Sequence, residues 1–263
     1  MILKILFFLL IPFFSFCQDC YILKYGKSKI QERFIKELKE FKTSYCSNFK
    51  EIELTGDAIS DRQNLMEVKE GNLFCFTETS AKYCKDFKNL NVLGVFIPSE
   101  VEYSKYFNVL SFYPLWEKTF DLLNEFNLKK LVIIFSQEIA EKAMHISSKA
   151  KEKGIEIKPI NIEKQIDVSL KLSKVLKDFD GIIIPIDKTY FDKDLIEMVV
   201  ETAHRENKKV LAFLELFLDY GVDYVFEIEL KEAVKEAFQI LAKKQKKGLF
   251  EVSSFVIKKG GQK

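Results

Sequence analysis

The chain has 263 residues, with 41 Lys and Arg against 39 Asp and Glu, a formal net charge of +2. That balance excludes the strongly basic surface a nucleic-acid binder needs. Hydrophobic residues at 48% and charged residues at 30% exclude an intrinsically disordered chain. The length allows one large domain or two of about 100–130 residues.

The chain opens with Lys4 and an apolar run from Ile5 to Phe16. As a helix this run would span roughly 18 Å, short of the ~30 Å hydrocarbon core. It therefore reads as the core of a secretory signal over residues 1–17, with Ser15 and Cys17 as the small residues before a cleavage at Gln18. The expected location is the periplasm or the outer face of the membrane. Two alternatives stay open. A retained anchor is weakened by Pro12 and by the polar residues from Gln18 onward. Lipidation of Cys17 is weakened by the bulky Phe16 before it.

Five Cys stand at 17, 20, 46, 75 and 84, and cleavage leaves the last four. In an oxidising compartment an even set predicts disulfides, and four Cys allow three connectivities. Cys20 and Cys46 each precede a predicted strand, and starts of neighbouring parallel strands lie close together, so this pair is preferred. Cys75, inside an apolar run, also reads as a buried free thiol. Cys17 and Cys20 form a C-x-x-C without the helix start that redox chemistry needs. No cofactor or metal site is predicted.

Apolar runs then alternate with amphipathic patterns. Strands are predicted at 21–25, 51–54, 72–76 and 92–97. Between them lie a helix from Lys29 to Phe41, a short one from Ser60 to Lys69 with Ser60 as its N-cap, and another from Ser80 to Phe87. A helix from Leu115 to Asn127 follows a joint at Ser111–Pro114. Further strands are expected at 131–135, 155–160, 181–186, 209–213 and 224–228. The helices 137–153, 168–177, 193–207 and 231–246 accompany them, and a final segment covers 250–257. This alternation predicts an α/β chain with parallel sheets covered on both faces. Two Rossmann-like lobes, 18–112 and 113–213, fit the length better than one wide sheet. The segment 214–263 crosses back and completes both. Hinge crossovers are expected near Ser111–Pro114, Phe213–Gly221 and Phe250.

Several segments together resemble one family: Phe74–Ala81, Asn91–Pro98, Asn108–Pro114 with Lys129–Phe135, Asp180–Thr189 and Leu214–Gly221. In order and spacing they are similar to the substrate-binding proteins of ABC transporters, of the type that includes tryptophan-binding members. The resemblance implies a type I periplasmic-binding fold, a small-molecule ligand in the interlobe cleft and an ABC permease as membrane partner. The sequence carries no G-x-S-x-G, G-x-x-x-x-G-K-S/T, H-E-x-x-H or G-x-G-x-x-G motif, so no enzymatic activity is expected. The chain departs from that pattern at Thr77–Ser80, which replaces a Gly-Thr-Pro-Ala-like loop, at Leu230–Lys231, and in its short C-terminal end.

Ligands of parallel α/β lobes meet the carboxyl ends of strands. Candidates there are Tyr25, Thr77, Thr79, Ser80, Ser136, Asp187, Thr189, Tyr190 and Glu215. Thr79, Ser80 and Ser136 suit a carboxylate, and Asp187 or Glu215 an ammonium group, so a small zwitterion such as an amino acid is expected. Tyr113, Trp116, Tyr190 or Phe217 would stack on a ring. Each has a plainer reading: Ser80, Ser136 and Asp187 as helix caps, Trp116 as core, Tyr25 as a strand end. Glu78 would repel a carboxylate and suit a cation. His145 and His204 read as surface residues. The alternative functions are a sensing module feeding a receptor and a thiol oxidoreductase using Cys75 or Cys84.

Overall fold

The computed structural model describes residues 18–261 apart from 27, 42–45 and 244–246. The expected signal, 1–17, and the question of Cys17 lie outside the described residues. Among the described residues no helix is long and apolar enough to cross a membrane.

The first lobe is built on β1 (Gln18–Tyr25), β2 (Cys46–Leu54), β3 (Asn72–Phe76), β4 (Asn91–Val95) and β5 (Asn108–Pro114). The second carries β6 (Lys130–Phe135), β7 (Glu156–Asn161), β8 (Gly181–Ile184), β9 (Lys209–Ala212) and β10 (Tyr224–Ile228). The chain ends with β11 (Leu249–Val252), which joins the first sheet beside β5, and β12 (Phe255–Lys259), which joins the second beside β10. The two sheets run β2-β1-β3-β4-β5-β11 and β7-β6-β8-β9-β10-β12. Pairing is parallel throughout the first sheet, and in the second only β12 is antiparallel. Every residue of β3 and β8 is buried. Unbroken apolar runs are what strands covered on both faces require.

Helices cover both sheets. In the first lobe these are α1 (Lys29–Glu40), α2 (Ala58–Leu65), α3 (Thr77–Cys84) and the single turn α4 (Glu100–Tyr103). In the second they are α5 (Trp116–Glu125) and α6 (Ala140–Glu152), the latter entered through a 3-10 turn. A broken stretch follows: α7 (Gln165–Asp167), a π turn at Val168–Leu172 and α8 (Ser173–Val175). The long α9 (Lys193–Arg205) comes next. The expected continuous helix over 168–177 is therefore interrupted. The N-cap of α2 is Asp57 rather than Ser60; its carboxylate accepts the Ser60 amide at 2.8 Å. Asp is at least as good a cap as Ser and is placed one residue before the helix.

The last helix, α10 (Leu230–Ala242), returns to the first lobe. Phe238 packs on Phe41 and Phe74, and the Leu241 carbonyl accepts Asn91 Nδ2 at 2.7 Å. The chain thus crosses between lobes at Tyr113–Trp116, at Glu229 and at Val252–Phe255. The crossings lie side by side: Leu115 N donates to Val252 O at 2.8 Å and Glu229 N to Ser254 O at 3.1 Å. The segment 213–221, expected to be a hinge crossover, instead holds a 3-10 helix at Glu215–Tyr220 inside the second lobe. It ends at Gly221, whose φ of 88° is a left-handed cap that suits glycine.

Among the described residues two disulfides form, both in the first lobe. Cys20 and Cys46 bridge the starts of β1 and β2, with Cα atoms 5.5 Å apart. Cys75 is not a free thiol: it is bonded to Cys84 across the β3–α3 turn, at a Cα separation of 6.5 Å.

Candidate functional site

The carboxyl ends of both sheets face each other across a cleft, and two first-lobe turns there are strained. Thr77, directly after β3, has φ 81°, and Phe96, directly after β4, has φ 60°. Left-handed backbone is uncommon for any side chain and an outlier for a β-branched one such as Thr. The Thr77 hydroxyl is buried with no hydrogen-bond partner among the described residues. Strain of this kind persists only where surrounding structure enforces it. Here the Cys75–Cys84 bond closes the turn, and the Ser80 hydroxyl donates to the carbonyls of Phe76 and Thr77. The Phe96 ring packs on Phe112 at 4.0 Å, Phe34 at 5.4 Å and Phe76 at 5.9 Å.

Across the cleft, the turn after β8 is held by a carboxylate. Asp187 is buried, and its two oxygens accept the amides of Ser136 and Thr189, each at 2.9 Å. The adjacent Tyr190 is buried and donates its hydroxyl to Ile162 O at 2.9 Å. Burial pushes its phenol far above the usual range.

A buried polar network joins the lobes at the back of the cleft. Lys142 of α6 forms an ion pair with Glu100 of α4, and each side chain is only 5% exposed. The Ser111 hydroxyl of β5 also donates to Glu100, at 3.0 Å. The Lys142 ammonium sits 3.5 Å from the centre of the Tyr113 ring, a cation–π contact. The Tyr113 hydroxyl in turn donates to Ile186 O at 3.1 Å and accepts Ile186 N at 2.7 Å. Burial lowers the Lys142 pKa to about 8, against the opposing pull of Glu100. Burial, reinforced by Glu100, holds the Tyr113 phenol well above its ordinary value.

Between the lobes lies a cavity of about 160 Å³. The first lobe lines it with Ile30, Gln31, Phe96, Pro98 and Phe112, and the second with Ile186, Phe191 and Leu214. The Glu100–Lys142 pair and Tyr113 close its back.

None of the nine sequence candidates lines this cavity. Tyr25 is 41% exposed at the end of β1, its ring against Gly56. Thr77, Thr79 and Ser80 are not a loop but the first turn of α3, where Ser80 is fully buried and spends its hydroxyl on the backbone. Ser136 does not act as a cap: its hydroxyl is buried and unpartnered among the described residues, and its amide is taken by Asp187. Asp187 is itself the cap of the turn containing Thr189, and Tyr190 belongs to the core. Glu215 forms an ion pair with Lys258 at 2.8 Å. Trp116 is 2% exposed, packed on Tyr113, Phe120 and Phe213. Lys142 and Gln31 escape sequence reasoning because each sits on an amphipathic helix, where such residues ordinarily face water. Glu100 lies in the strand-end loop Pro98–Glu100, where ligands of such lobes are expected, and Tyr113, a candidate for ring stacking, also lines the cavity.

No protein-family model matches the chain, and no curated protein matches it. Solved structures do. An ABC domain in complex with L-Trp from Streptococcus pneumonia is 14% identical, covering 92% of this chain and 91% of that one at a TM-score of 0.59. The ligand-free, open structure of a substrate binding protein with adhesive properties from Clostridium difficile is 14% identical over 91% of both chains, at a TM-score of 0.64. A periplasmic binding ribose operon repressor protein from Lactobacillus acidophilus is 11% identical, with 94% and 99% covered and a TM-score of 0.54. Likeness at these identities concerns the fold, and the fold is that of the two-lobed type I periplasmic binding proteins.

Proposed function

We propose that the chain is an exported solute-binding protein of an ABC importer. Its lobes close on a small molecule in the interlobe cleft and present it to a membrane permease. The observation that carries this reading is the cavity lined from both lobes at the carboxyl ends of their strands. Three crossings bundled at one edge support hinge closure about that edge. Two disulfides suit an oxidising compartment. The reading gives the chain no catalytic step.

Native mass spectrometry of the purified protein tests it first, through any molecule that co-purifies. Added ligand is expected to raise the melting temperature, shrink the radius of gyration in small-angle scattering and shift the emission of Trp116, which stacks on Tyr113 at the interlobe network. A panel of small molecules that leaves all three unchanged rejects the reading. A second reading, a sensing module, is favoured by the likeness to a repressor protein. Cross-linking in membranes separates the two: capture of a permease supports import, and capture of a receptor supports sensing.

A further inference from the structure

We propose that the cleft takes a small uncharged molecule built around one ring, held between Phe96 and Phe112 on one side and Ile186 and Phe191 on the other, with the Gln31 amide as its polar anchor. This rests on the reading of the cleft as the ligand site and replaces the zwitterion expected from the sequence.

Size comes first. The cavity measures about 160 Å³. An apolar protein cavity of about 150 Å³ accommodates one benzene-sized molecule. A single ring with a short substituent fills that volume; the backbone of an aromatic amino acid would extend beyond it, past the half-exposed Phe191.

Charge comes second. Among the described residues lining the cavity, Glu100 and Lys142 are the only charged ones, and they are paired with each other. Glu100 also accepts from Ser111, and Lys142 also lies on the Tyr113 ring. A ligand carboxylate brought to Lys142 would lie beside the buried Glu100, and a ligand ammonium brought to Glu100 would lie beside Lys142. Either arrangement adds a like charge in a dry site and strands one member of a buried pair. A zwitterion has no unspent partner for either end.

Polar capacity comes third. Sugars present several hydroxyls, each costly to bury without a partner. The neutral polar side chains lining the cavity, apart from Tyr113, are Ser28 and Gln31. The Tyr113 hydroxyl is already joined to Ile186 as both donor and acceptor. Gln31 is 8% exposed, and no hydrogen bond joins its amide to another described residue. Its amide atoms are not among the buried unpartnered ones, so they face the cavity's solvent, and a ligand that supplies one donor or acceptor would replace that water. The remaining walls offer only apolar and aromatic surface.

The test uses the whole chain and measures affinity by calorimetry, with indole, benzamide and toluene against L-tryptophan, L-phenylalanine and D-ribose. The neutral ring compounds are expected to bind at least tenfold more tightly than the zwitterions and the sugar. Gln31→Leu should weaken benzamide at least tenfold and leave toluene unchanged. Ile186→Trp, which fills the cavity, should abolish all binding; should that variant fail to fold, the split between benzamide and toluene in Gln31→Leu decides alone. Tight binding of a zwitterion or of ribose, lost in the cavity variants, overturns this inference while leaving the cleft as the ligand site. If no compound of either group binds, this inference is overturned, while the solute-binding reading is decided by what co-purifies in native mass spectrometry.

Discussion

Both lobes run their strands in the same order, the second outermost, then the first, third, fourth and fifth, but they hold their cleft turns differently. In the first lobe the turn after the third strand contains a left-handed threonine and is closed by a disulfide. In the second lobe the equivalent turn contains Asp187, whose carboxylate takes two amides, and no residue of that turn has a positive φ. One lobe imposes its cleft geometry through covalent closure against strain. The other satisfies its backbone locally. The sixth strand repeats the contrast: β11 is parallel to its neighbour, and β12 is antiparallel.

The largest expected effect concerns what couples the two lobes. Lys142→Met leaves Glu100 buried beside Ser111 without its cation, and removal of one member of a buried pair costs about 3–5 kcal/mol. Urea unfolding should show that loss, and Glu100→Gln combined with Lys142→Met should recover most of it. The charge on Lys142 also predicts a pH dependence. An unfolded lysine keeps its proton to about pH 10.4, whereas Lys142 here releases it near 8 because burial disfavours the ammonium. Between those values the unfolded chain binds more protons, so stability rises with pH. Relative to the double variant, the native protein should gain stability from pH 8 toward 10 and show no slope from this group below pH 8. A flat difference across that window would show that the Glu100 pair fully offsets the effect of burial on Lys142.

The next effect should fall on the first lobe alone. Cys20 and Cys46 are 26 residues apart and Cys75 and Cys84 are 9 apart. Loop-closure entropy assigns about 3–4 kcal/mol to the first bond and about 2–3 kcal/mol to the second. Paired Cys→Ala variants, followed by hydrogen exchange, should loosen β1–β2 and β3–α3 respectively. Protection in β6 and β8 should stay as it was. Equal loosening of both lobes would erase the distinction drawn between them.

Burial on both faces decides how much is legible in the sequence. Interior strands of both lobes stand out as apolar runs, Leu73–Phe76, Leu131–Phe135 and Gly181–Ile184 among them, because both faces are covered and no polar alternation dilutes the signal. In the first lobe β5 mixes Ser111 with aromatic residues and reads only as a joint. The helix α3 begins three residues before the start expected at Ser80, which looks like a cap until its hydroxyl is seen bonded to Phe76 O inside the helix. The site is least legible. Polar residues at strand ends suggest ligand contact, and the protein uses several of them to satisfy its own turns. The residues that line the cavity are mostly apolar, and their role depends on two lobes meeting. Lys142 finds Glu100 across 42 positions of sequence, a relation no local pattern carries.

The smallest effects provide the sharpest comparison, because the two equivalent turns should respond with opposite signs. Asp187→Ala removes an acceptor from two amides, and loss of such a cap costs about 1–2 kcal/mol. Thr77→Gly removes a side chain from left-handed backbone, where a non-glycine residue carries roughly 1–2 kcal/mol of strain. It also removes a buried hydroxyl without a partner among the described residues. Glycine's greater freedom in the unfolded chain returns about 0.5–1 kcal/mol, so a net gain of about 1 kcal/mol is expected in thermal or urea unfolding. A loss on Thr77→Gly would mean that the hydroxyl is bonded in solution and that the first lobe, like the second, satisfies its turn locally. A gain, alongside the loss on Asp187→Ala, would leave strain against capping as the physical difference between the two walls of the cleft.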